Sequence, residues 1–231
     1  MFGLFYYDWT MLLVLPALII SLIAQAKVSS AYKKYSSYST FGFTGYSAAR
    51  AILDANGLSH VSIERVRGHL TDHYDPKANV IRLSDSVYDA ASVAAVGVAA
   101  HEAGHAVQYA VGYAPIKLRM AIIPATRIGS AASVPLFLIG LLFASDYLML
   151  LGILLYAVVA LFQLVTLPVE FNASSRALKA LDGRGILSPE QRSGAKKVLS
   201  AAAMTYVAAL LTSLLTLLRL LLLASNRNSR R

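Results

Sequence analysis

Residues 98–108, "VAAHEAGHAVQ", decide how the rest of the chain is read. The run of Ala, Gly and Val from Ser86 to Val111 around them predicts one or two helices. His101 and His105 stand four apart, and residues four apart share one face of a helix. Two imidazoles can therefore point at one ion. Glu102 projects beside the pair, close enough to act on a water without ligating a metal. This is the H-E-x-x-H arrangement of zinc metalloproteases. In that chemistry zinc acidifies water and polarises the scissile carbonyl. The glutamate takes the water's proton and passes it to the leaving amine. Gly104 fits as well, because a glycine between the histidines lets another backbone approach closely. A purely structural role would bury two His and a Glu among small apolar residues, which is costly unless partners satisfy them.

Composition says where such a site resides. The 231 residues are 57% hydrophobic and only 14% charged, which is unusual for a soluble domain and predicts membrane insertion. Cysteine is absent, so disulfides and Cys-ligated metals are excluded and a metal must use His, Asp, Glu or water. The net charge of +9 is read as a topology signal. No nucleic-acid-binding pattern is present, so no nucleic-acid partner is expected.

A span needs about 20 apolar residues. Four segments approach that length: residues 4–26, broken by Asp8; 122–144, with Pro124 and Arg127 near its start; 147–167; and 201–224, with Arg219 inside it. Arg127 is tolerable at an interface, where its stem can snorkel. The first segment lacks a basic start and reads as a retained anchor. Lys and Arg concentrate in 27–119 and 169–200 and are absent from 1–8 and from the Ser145–Asp146 turn. Both basic segments should then be cytoplasmic. The basic tail "SNRNSRR" is at odds with this, since four spans would carry it outside.

Between the spans, "KVSSAYKKYSSYST" (27–40) reads as a juxtamembrane linker. A helix should run through "TGYSAARAILDANG", capped by Thr44 and ended by Asn56–Gly57. "HVSIERV" and "VIRLS" are strand-like, and "TDHYDPKAN" between them is turn chemistry. Residues 168–181 suggest a helix ended by Gly183, with Ser188–Pro189 capping another. The expected organisation is an anchor (1–26), a cytoplasmic part with the HExxH helix (27–119), a transmembrane hairpin (120–168), a cytoplasmic helical segment (169–200), and a last transmembrane helix with the basic tail (201–231).

A catalytic zinc takes three protein ligands and a water. Two carboxylates on the same expected membrane side could complete the set. Glu170 follows the third span at once, and a carboxylate at that depth wants a partner. Asp182, in "ALDGRG", reads more simply as a helix-terminal residue beside a turn. "NVIRL" (Asn79, Val80, Ile81, Arg82, Leu83) is either a sheet edge on which a peptide substrate adds as a strand or an ordinary core strand. Candidate oxyanion donors or substrate contacts are His73, Tyr74, Arg176 and Tyr206.

The stretch "LTDHYDPKANVIRLSDSVYDAASVAAVGVAAHEAGHAVQ", with "LPVEFNASSRAL" downstream, resembles the YugP-type neutral zinc metallopeptidases of bacterial membranes. More loosely it resembles the heat-shock-type membrane proteases. The resemblance implies a mainly α membrane protein with about four transmembrane helices and a small cytoplasmic α+β, gluzincin-like domain. It implies one Zn2+ per chain on His101, His105 and Glu170, with Glu102 catalytic. The expected setting is a bacterial plasma membrane, with a polypeptide substrate and the lipid bilayer as partners. Two rivals remain open at this stage: a site-2-type intramembrane protease using Asp182, and a non-catalytic scaffold with a structural metal.

Overall fold

The computed structural model describes residues 9–228. Residues 4–8 of the first apolar segment, Asp8 included, and residues 229–231 of the tail lie outside the described residues. The chain is mainly helical, in the order α1 (Met11–Ser36), α2 (Gly45–Ala55), β1 (Ser62–Val66), β2 (His73–Asp75), β3 (Val80–Ser84), α3 (Val93–Ala110), α4 (Ala114–Leu142), α5 (Asp146–Gly183) and α6 (Pro189–Asn228). Contacts divide it into two compact units.

The first unit comprises residues 9–23, Leu118–Thr166 and 205–228. It holds the apolar lengths of α1, α4, α5 and α6, the four helices long and apolar enough to cross a membrane. Their large side chains face outward: Leu22, Leu138, Leu154 and Leu164 are all more than half exposed, as lipid-facing residues would be. Glycines let α4 and α5 touch backbone to backbone. A Cβ on Gly152 would stand 2.7 Å from Ser133 O and 2.8 Å from Phe137 N, and one on Gly129 2.6 Å from Leu155 O. Small residues at helix contacts are the usual basis of packing in lipid, where no hydrophobic drive operates between helices. Arg227, in the basic tail, lies 3.8 Å from Asp146 and donates to Gly140 O. The end of α6 thus sits on the α4–α5 turn.

The second unit is Ala24–Lys117 with Leu167–Met204. Thr44 and Ser47 form a reciprocal cap on α2, which satisfies donors that a helix start leaves unpaired. The sheet order is β1-β3-β2, with β1 parallel and β2 antiparallel to β3. Asp75 turns the β2–β3 connection by accepting from the amides of Lys77 and Ala78, and Asn79 takes the left-handed conformation that Asn tolerates. Ser92 caps α3, whose small residues Ala95, Val96, Ala99, Ala100 and Ala103 are wholly buried in one core with Ile52, Leu53, Ile81, Leu83, Ala177 and Leu181.

Four expectations need correction. Of the two readings of residues 79–83 the edge is excluded: β3 is the central strand, paired on both sides. The turn-rich "TDHYDPKAN" contains strand β2, which with β1 forms the two edges of the sheet. The 27–40 linker is helical to Ser36, because Ala31, Tyr32 and Tyr35 pack into the core. The breaks near Pro168 and at Ser200 do not occur. Helix α5 runs unbroken through Pro168, and α6 continues from its Ser188 cap to Asn228. Proline costs one intrahelical bond, and a helix with 38 residues absorbs that loss.

Gly152→Leu is expected to destabilise the α4–α5 pair by about 1–3 kcal/mol, since backbone atoms cannot rotate away as side chains do. Thermal unfolding in detergent would show the loss. Gly183→Ala meets nothing within 4 Å and should leave the midpoint unchanged.

Candidate metal centre

Helix α3 carries His101, His105 and Gln108 on one face, at spacings of four and three. Helix α5 presents Glu170, Ala173, Ser174 and Ala177 to it. The approach is close because α3 has no side chain at the crossing: a Cβ on Gly104 would stand 2.6 Å from Ala173 O. Ala173 and Ala177 are fully buried. This contact brings Glu170 Oε2 within 3.2 Å of His101 Nε2 and 3.6 Å of His105 Nε2. The His101 and His105 rings are 4.7 Å apart and nearly perpendicular. One ligand atom from each of the three residues lies within 4.8 Å of the others.

The donor set fits zinc. Two imidazole nitrogens and one carboxylate oxygen are its usual partners in a catalytic site. The Glu170 side chain is only 3% exposed, and a buried carboxylate costs roughly several kcal/mol unless it is compensated. The far nitrogens of both rings are also engaged. His101 Nδ1 is 3.1 Å from Ser174 Oγ and His105 Nδ1 is 3.0 Å from Gln108 Oε1. Such outer contacts orient ligating histidines. Burial disfavours the charged form of His105, but the Glu170 hydrogen bond and the charges of Glu102 and Glu170 outweigh it and raise its pKa. The position favours positive charge.

Glu102 is buried, and its side chain makes no hydrogen bond among the described residues. Asp182 is in neither place: its side chain is 57% exposed and stands 3.6 Å from Arg192. The four candidate substrate contacts are scattered. His73 and Tyr74 lie on β2, and the Tyr74 ring meets Tyr109 of α3 at 5.5 Å. Burial raises the Tyr74 phenol above its ordinary pKa, so it remains a donor at neutral pH. Arg176 donates Nε to Asn172 Oδ1 and lines a cavity of about 320 Å³ with Gly104 and Lys179. Tyr206 belongs to the other unit. Reading by motif missed Gln108, Asn172 and Ser174. The available clue was Gln108 itself, an amide one turn beyond His105 between Val107 and Tyr109, which needs partners if buried.

Histidines of an HExxH helix facing a carboxylate from a second helix, on a chain with four membrane-length apolar helices, define the class: a membrane metalloprotein of the zinc-peptidase type. Residues 10–225 match the family described as "Putative neutral zinc metallopeptidase", and the chain belongs to that family. It is also 48% identical over 215 residues to the "Putative membrane protease YugP" of Bacillus subtilis, covering 93% of this chain and 96% of that one. No solved structure matches it.

Glu170→Ala is expected to abolish zinc retention through purification, read by metal analysis. Asp182→Asn should retain zinc at the wild-type level.

Proposed function

We propose that the chain is a multi-pass membrane zinc endopeptidase with its active site on the cytoplasmic side. The observation that carries this reading is the convergence of His101, His105 and Glu170 on one point, with Glu102 next to the first ligand. One zinc per chain would be held by the two Nε2 atoms and the Glu170 carboxylate. When bound there, zinc supplies Lewis-acid chemistry, polarising a peptide carbonyl and making water acidic near neutral pH. Glu102 acts as the base: a carboxylate oxygen accepts a proton from the attacking water and returns it to the departing amine nitrogen. The lack of other hydrogen bonds to its side chain leaves it available for both transfers.

The edge strand β2 is the better candidate for aligning substrate, now that β3 is seen to be enclosed. Pairing along a strand edge uses backbone groups and tolerates many sequences. The Tyr74–Tyr109 contact ties β2 to the helix that bears the histidines. A small α+β, zincin-like working part is consistent with this plan. The partners would be a polypeptide substrate, membrane-associated or misfolded, and the bilayer. The cytoplasmic side is supported by the Lys and Arg of 27–119 and 169–200. Arg227 beside Asp146 supports an even number of crossings, with the tail on the side of the α4–α5 turn despite its charge. The exposed, Arg-paired Asp182 gives no support to the site-2-type alternative.

Glu102→Gln should keep its zinc and lose proteolysis by roughly 10²–10⁴-fold, the weight that general-base catalysis carries. Fragment accumulation in membranes expressing the two proteins, with metal content measured in parallel, checks this. Near-normal turnover by the Gln variant would refute the assignment.

A further inference from the structure

Gln108 is fully buried, yet all its polar atoms are engaged. Its Nε2 donates to the backbone carbonyl of Val169 at 2.8 Å and to Asn172 Oδ1 at 3.0 Å. Its Oε1 faces His105 Nδ1 at 3.0 Å. Asn172 Oδ1 in turn accepts from Arg176 Nε at 2.7 Å. Each end of this chain has one possible polarity. A backbone carbonyl only accepts, so Val169 O must face the NH2 of Gln108. A guanidinium only donates, so Arg176 must face the oxygen of Asn172. Turning either amide over would set oxygen against oxygen at Gln108 or donor against donor at Arg176. The two ends agree on one arrangement.

We infer that Gln108, locked by Val169 O and by the Arg176–Asn172 pair, is a positioning residue that keeps a hydrogen on His105 Nδ1 and so leaves Nε2, turned toward Glu170, as the nitrogen that takes the metal. The amide oxygen can only accept, so His105 Nδ1 must carry the hydrogen. The arrangement is specific to His105. The partner of His101 is the hydroxyl of Ser174, which can donate or accept and therefore fixes no tautomer. The network also bridges the two helices of the site, because Val169 immediately precedes Glu170. Gln108 thus links the orientation of one ligand on α3 to the position of another on α5. The inference rests on His105 and Glu170 being the ligands.

The test compares Gln108→Leu, Asn172→Leu and Asn172→Asp in the purified full-length protein. Zinc affinity is measured by chelator competition, and the ring nitrogens of 15N-histidine-labelled protein are observed by NMR, with His105→Ala supplying the assignment. Outer contacts of ligating histidines are worth about 10–100-fold in metal affinity. Gln108→Leu should weaken zinc by that factor and lose the single Nδ1–H signature at His105. Asn172 serves only as an acceptor, so Asn172→Asp should hold zinc within a few-fold of wild type. Asn172→Leu should lose affinity and show mixed tautomers. Undiminished zinc affinity in Gln108→Leu would overturn the inference, as would equal behaviour of Asn172→Asp and Asn172→Leu. Loss of folding through poor packing would not separate those two, and the tautomer is read in the zinc-free protein as well. A wild-type protein without zinc but with a hydrogen held on His105 Nδ1 would therefore count against the proposed function while supporting the positioning role.

Discussion

The site depends on one contact, the bare backbone of Gly104 against the carbonyl of Ala173. Any side chain at position 104 would hold α3 away from α5. The distances of 3.2 and 3.6 Å between Glu170 and the two histidines follow from that approach. The cost of bringing a carboxylate into a buried place is offset by two imidazoles and, in the proposed working state, by a divalent cation. The Ala-rich faces of both helices serve the same purpose. They supply little hydrophobic area per residue, but they permit a separation short enough for polar groups on two helices to share one centre.

Continuity of α5 adds a second constraint. Glu170 stands on a helix that begins at Asp146 and ends at Gly183 without interruption. Helix α3, by contrast, is anchored by its Ser92 cap and by a buried core shared with α2 and the sheet. Glu170 comes from a helix with a membrane-length apolar run, and His101 and His105 come from a helix of globular character. The amide of Gln108 joins them through Val169 O.

Much of this was legible in the sequence. The HEAGH spacing puts two imidazoles on one helix face with a glutamate beside them as a local matter of helix geometry, and the apolar lengths announce the four long helices. Glu170 and Asp182 were separable by their surroundings, the first at the end of an apolar run and the second beside a glycine turn. The sheet was harder. Strand β2 has three residues, and its Asp75 also makes the following turn, so turn chemistry hides the strand, and without it the sequence does not show whether β3 is an edge or a core strand. The linker reading of 27–40 failed because Tyr32 and Tyr35 look polar and Ser-flanked in sequence but are buried by packing. Gln108 carries no motif. Its role emerges only when Val169, Asn172 and Arg176, more than sixty residues away, are folded onto it.

The central claim is that two imidazoles and one carboxylate from separate helices bind a single zinc. X-ray absorption at the zinc edge of the purified protein tests it most directly. Two imidazole nitrogens at about 2.0 Å and oxygen scatterers at about 2.0–2.2 Å are expected, with no zinc signal from purified His105→Ala. A spectrum with a single imidazole, or one unchanged by that substitution, would contradict it.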